Sequence, residues 1–167
     1  MNLLPLYEAN PPWVYLHVLT EEENKRLPSY LYAAPGHSPA IRVLRGQKMK
    51  TRQALMDELG AALQFFEPFG ENWHAVKDCL SDINEWMPGD AYIIVLARPQ
   101  ELLADEKPEE VHWFKITFEE VGEWFSHPIS DNGPFNRGSV PFHLVLMCEK
   151  GNIQDVRRRF GSMPLLE

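Results

Sequence analysis

Cysteine is scarce in this sequence: Cys79 and Cys148 are the only two among 167 residues. They form no CxxC pair and show no zinc-ligand spacing. A disulfide framework is therefore not expected, and both thiols read as reduced and buried. Long hydrophobic runs are absent too, since none approaches the roughly 20 residues of a membrane span. The opening stretch MNLLPLYEANPPWVYLHVLTEEENK lacks a basic leading region, is interrupted by prolines and runs into acids. It does not read as a signal peptide, and the expected location is the cytoplasm. Positive charge is in deficit, with 24 acids against 16 bases and a net charge of −8. Nucleic acid is a poor direct partner for such a chain, because phosphate binding calls for a basic surface. A basic protein is a better one.

The usual catalytic signatures are missing as well. There is no Walker loop, GxGxxG, GxSxG or HExxH. The Gly/Asn-rich stretch DNGPFNRGS follows no strand and reads as a turn-prone loop. No cofactor is expected. Cys79 lies beside Leu80 on the apolar margin of a helical pattern, where a thiol is inert. Trp13, Trp113 and Trp124 read as core or edge residues. The run RRRF (157–160) reads as a solvated cluster suited to a helix C-terminus.

What is present is an alternation. WVYLHVLT (13–20) has strand composition, TEEENKRL (20–27) suits a helical turn or two, and LYAAPGHSPA (31–40) is a linker. AIRVL (40–44) reads as a strand and RGQKMK as a turn. Thr51 is placed to cap a helix over 52–66, whose apolar residues Leu55, Leu59, Ala62, Leu63 and Phe66 recur at three and four. After a turn at 67–72, Asn72 caps a second helix, 73–84. AYIIVLA (91–97) is a continuous apolar run, as in a strand covered on both faces. The polar connection RPQELLADEKPEE has room for a helical turn. A helix over 111–125, a turn-rich loop over 126–140, a strand over 141–149 and a closing helix over 152–160 complete the chain. This is an α/β pattern, with a small, mostly parallel sheet of three or four strands covered by helices.

Residues 73–84 divide cleanly on a helix of about 100° per residue. Trp73, Val76, Leu80, Ile83 and, at the margin, Cys79 gather on one side. His74, Asp78 and Asp82 follow each other at four-residue steps on the other, with Glu71 just before and Glu85 just after. Like charges at i,i+4 are slightly unfavourable, which a protonated His74 would relieve. From spacing alone the plain reading is a solvated face. The sharper one is a face that docks onto a basic site. A third, a metal-dependent enzyme using His74 and Asp78, has no second ligand motif behind it.

The run FGENWHAVKDCLSD resembles the signature of the barstar family, inhibitors of barnase-type ribonucleases. An aromatic residue, Gly-Glu-Asn, an apolar residue, Asp-Ala, two variable positions and Asp-Cys-Leu make up that signature. Phe69, Gly70, Glu71, Asn72, Trp73, Ala75, Asp78, Cys79 and Leu80 fit it. The resemblance extends to RVLRGQKMKTRQALMDELGAAL, YIIVLA and VPFHLVLMCE, over about residues 40–150. It implies a barstar-like domain over 40–167 with an accessory N-terminal segment over 1–39. It also implies a bacterial antitoxin or immunity protein that works without chemistry. The helix and its preceding loop would enter the active site of a basic ribonuclease or related toxin. Asp78 would take the place of a substrate phosphate. Phe69, Gly70, Glu71, Asn72, His74, Lys77, Asp78 and Asp82 would form the face, with Glu120 as a later acid. His74 stands where the family has an Asp, Lys77 where it is often aromatic or acidic, and Pro68 where it is aromatic. The first two make the face less negative, and together the departures imply weak binding to barnase itself or a different toxin. Residues 1–39 and the loop 126–140 lie outside the pattern, either enlarging the interface or covering a sheet edge. A shared fold also permits an interaction module for a non-nuclease protein.

Overall fold

The apolar runs of the sequence pair into one sheet in the computed structural model, which describes residues 3–23, 35–66, 69–130 and 136–166. Its strands are β1 (Val14–Leu19), β2 (Ala40–Arg45), β3 (Tyr92–Ala97) and β4 (Phe142–Glu149). The order is β1-β4-β3-β2, and every pair is parallel. Parallel neighbours need crossovers. These are supplied by α1 (Arg52–Leu63), α2 (Trp73–Ser81) and α3 (Pro108–Ser126), and α4 (Ile153–Phe160) follows the last strand. The expected α/β fold is present, with four strands and a wholly parallel sheet.

Alternation along the strands sends side chains to two different cores. Val14, Leu16, Leu44, Ile94, Leu96, Leu144 and Leu146 meet all four helices on one face. Tyr15, Ile93, Val95, Val145 and Met147 face the other way, where Leu6 and Leu166 cover them. Among the described residues, the second face is thus closed by the 3-10 turn Leu4–Tyr7 and by the tail at Leu166, and not by α-helices. This explains why β3 is apolar on both sides.

Val14–Leu19 forms the expected strand and extends the sheet beyond β4. Its far edge is bridged by the tail: Leu16 donates to Pro164 O and Leu166 to Leu16 O, both at 2.9 Å. Of the two roles open to that strand, edge covering is the one visible here. In the segment after it, Thr20 and Glu23 satisfy each other's backbone N–H groups, as in a capping box. The rest of the turn expected over 20–27 lies outside the described residues. So do parts of the linker at 31–40, the turn at 67–72 and the loop at 126–140.

Several boundaries differ from the sequence expectation. Thr51 caps α1 as expected, its side chain accepting from Ala54 N. The helix ends at Leu63, because Gln64 turns into the left-handed region at φ 58°. Phe66, counted with the buried stripe, is left exposed and meets Trp86 edge-on at 4.8 Å. α2 stops at Ser81, and Ile83–Glu85 forms a separate 3-10 turn. α3 starts three residues early, with Pro108 in its first turn and Glu109 and Glu110 suiting the positive end of the helix dipole. Trp113 and Trp124 are exposed, a correction to their placement in the core or at an edge. Among the described residues, no helix is long and apolar enough to cross a membrane.

Candidate protein-docking face

α2 is held from below and at its start. Val76, Leu80 and the following Ile83 are fully buried. Asn72 caps the helix by accepting from Ala75 N at 3.0 Å, and its amide donates to Gly70 O at 2.7 Å. One side chain therefore fixes both the first turn and the loop leading into it. Glu71 lies between them at φ 44°, a left-handed conformation that costs a non-glycine residue about 1–3 kcal/mol. Gln53 Nε2 donates to the Glu71 carboxylate at 3.0 Å, tying this loop to α1. Phe69 is half-buried against Phe65, with ring centroids 5.0 Å apart.

α3 packs alongside α2 and is cross-linked to it twice. The half-buried Trp73 indole donates to Glu110 at 2.9 Å. Lys77 pairs with Glu120 at 2.7 Å, each side chain about half exposed. These two expected site residues therefore come together and neutralise each other.

Gly70, Glu71, His74, Asp78 and Asp82 are exposed. Asp82 is not within the helix as expected: it is the residue at its C-terminal end, because the helix closes one turn early. A negative charge there opposes the helix dipole, so stability does not account for it. Among the described residues, Asp78 and Asp82 have no cationic partner within ion-pair distance. The face therefore combines one internally paired acid, Glu120, with Asp78 and Asp82, which remain open.

The thiol beside this face differs from its expected burial. Cys79 is half-buried, and burial first, then Asp78 and Asp82, push its pKa up. A thiol so placed stays protonated and is a poor nucleophile. Cys148 is buried as expected. Among the described residues, no group of three or more His, Cys, Asp or Glu is placed to hold a metal ion. The basic run also departs from a fully solvated cluster, since the half-buried Arg159 donates to Leu102 O on the segment before α3.

Beside this face Trp113 and Trp124 are exposed, where the sequence reading put them in the core or at an edge. The signal was available in the helical spacing. Val111, Phe114, Phe118, Val121 and Phe125 form the buried arc of α3. Both tryptophans fall outside that arc at about 100° per residue, close to Glu120.

An all-parallel α/β protein that keeps two carboxylates open on an anchored, capped helix is the class defined by this geometry. The family model described as Barstar (barnase inhibitor) matches residues 40–146. The match takes in β2, β3, most of β4, the three crossover helices and the whole acidic face; the chain belongs to the barstar family. No curated protein matched the chain.

Proposed function

We propose that this chain is a protein inhibitor that binds a basic ribonuclease-type toxin and blocks its active site with α2 and the loop before it. It acts by occlusion, without catalysis, as an antitoxin or immunity protein of a bacterial cytoplasm. The observation that carries this reading is Asp78. Its carboxylate is exposed, with no cationic partner among the described residues, on a helix anchored by the fully buried Val76 and Leu80. Such a group needs no reorganisation to meet arginine or lysine in a phosphate-binding site. Glu71, Asn72, His74 and Asp82 surround it, with Phe69 and Gly70 shaping the loop and Lys77 and Glu120 bordering the face. Residues 40–167 are the inhibitory domain, and 1–39 are accessory to it.

Family membership supports an inhibitor, and the net charge of −8 supports a basic partner. The departures at His74 and Lys77 favour a toxin other than barnase. Capture from native extract tests the reading, with the tagged protein and its Asp78→Arg variant side by side. A basic nuclease is expected on the wild type. Reversing the charge should weaken its binding by at least about 30-fold, or about 2 kcal/mol. Equal capture by both would show that α2 is the wrong surface. A partner that is neither basic nor a nuclease would make the chain an interaction module.

A further inference from the structure

The arginines of α4 are used unequally. Val156 and Phe160 anchor this helix in the core. Arg158 is 76% exposed at its side chain and pairs with Asp155 at 2.6 Å. An ion pair so open to water holds its arginine weakly. Arg159 is half-buried, and among the described residues its only hydrogen bond runs from Nη2 to Leu102 O. Its Nε is buried without a partner. Among the described residues, no carboxylate lies within ion-pair distance of it. Burial first, and then Arg158 beside it, lower its pKa. A guanidinium does not shed its proton in response, so the charge stays. A half-buried cation without an anion is unfavourable. The bond to Leu102 O does not account for it, because it engages only one N–H of the fork.

Both arginines line one cleft of about 240 Å³, together with Glu106, Pro108 and Val111. Pro108 and Val111 belong to the first turn of α3 and give the cleft an apolar wall. Glu106 is the acid in this lining. Its Oε1 accepts from Arg52 N at 2.9 Å, so its charge is directed at the positive end of α1. We propose that this cleft between α4 and the start of α3 is a binding site for a phosphate group, held by Arg158 and Arg159. Two guanidinium forks match the charge and the oxygens of a phosphate dianion, whereas a carboxylate would leave one cation over. Arg158 turns to it by giving up a bond that water already weakens. At about 30 Å³ of liquid volume per water, the cleft has room for more than the phosphate itself. The apolar wall suits a compact organic group, so the ligand class is a small phosphate monoester, with free phosphate as the other source of the same chemistry. None of the lining residues belongs to α2 or the loop before it, and the inference stands apart from the inhibitor reading.

The test titrates the full chain at constant ionic strength with phenyl phosphate, inorganic phosphate and benzoate, following the Val111 methyl and arginine Nε–H resonances. Phenyl phosphate should move the Val111 and Arg159 signals to saturation, with a Kd below about 1 mM. Arg45, whose guanidinium is closed on Glu58 at 2.7 Å, should stay in place. Benzoate should bind at least about fivefold more weakly. Inorganic phosphate binding several-fold more weakly than phenyl phosphate would identify the ligand as an ester, and equal binding would identify it as free phosphate. Arg158→Gln, a change at the surface, should weaken phenyl phosphate by about fivefold, and Arg159→Gln by about tenfold or more. An unchanged melting temperature checks that both variants fold. If Arg159→Gln does not, Arg158→Gln decides alone. Signals that do not saturate, an equal shift at Arg45, benzoate binding as tightly as phenyl phosphate, or an affinity indifferent to Arg158→Gln would each overturn the inference.

Discussion

Asn72 shows how one residue serves both stability and the docking face. Its carbonyl oxygen caps α2 and its amide closes the loop on Gly70. Asn72→Ala removes both bonds. A lost cap of this kind costs about 1 kcal/mol. Chemical denaturation should show that loss, and amide exchange should quicken in the first turn of α2 before it changes in the sheet. A loss confined to the sheet would show that the cap is not what Asn72 contributes. The cap was legible from Asn72 preceding an amphipathic run. The left-handed Glu71 beside it was not, because backbone conformation at that position is decided by what flanks it: the Asn72 bonds and the Gln53 contact from α1.

Among the helices, α3 packs directly against the N-terminal segment. Trp13, just before β1, is 6% exposed. A Cβ placed on Gly122 of α3 would lie 2.6 Å from two atoms of its indole. Glycine is there because the ring needs the space. Gly122→Ala sets a helix-propensity gain of about 1 kcal/mol against overpacking of about 1–3 kcal/mol, and the clash should win. A lower denaturation midpoint is expected, partly restored by adding Trp13→Leu. If Gly122→Ala alone were stabilising, the indole would have room that the structure does not give it. The sequence shows a glycine inside a helical pattern but not what lies over it, since Trp13 arrives from more than a hundred residues away.

For the whole molecule, the second face of the sheet sets the response to acid. His143 on β4 is fully buried, with Nε2 2.9 Å from Glu8 O and its ring between Trp13 and Tyr15. Burial pushes its pKa down, against weaker upward pulls from the backbone bonds to Glu8 and Pro12 and from the Glu8 charge. His17 on β1, also buried, is lowered for the same first reason, with Glu23 opposing. A histidine kept neutral by folding binds its proton more readily when unfolded. Its contribution is therefore complete above the unfolded pKa near 6.5 and is lost as pH falls below that value. Each such group adds a slope of at most about 1.4 kcal/mol per pH unit. The melting temperature should fall between pH 7 and pH 5. His143→Leu should flatten that fall even though it forfeits the bond to Glu8 O. An unchanged slope would remove His143 as a cause.

The sequence by itself determined the α/β class, the buried strands, the cap at Asn72 and the acidic face of α2. Each of these follows from periodicity and local bonding, which act over a few residues and leave a readable pattern. The family signature was legible for the same reason, being one continuous run, and the spacing of α3 carried its exposed side too, although Trp113 and Trp124 read as core or edge residues. Only the tertiary structure decided that Val14–Leu19 pairs with β4, that Leu6 and Leu166 close the second face of the sheet, and that Lys77 neutralises Glu120. Those contacts join residues far apart in the chain. No local pattern encodes them, because they depend on how the sheet and helices pack as a whole.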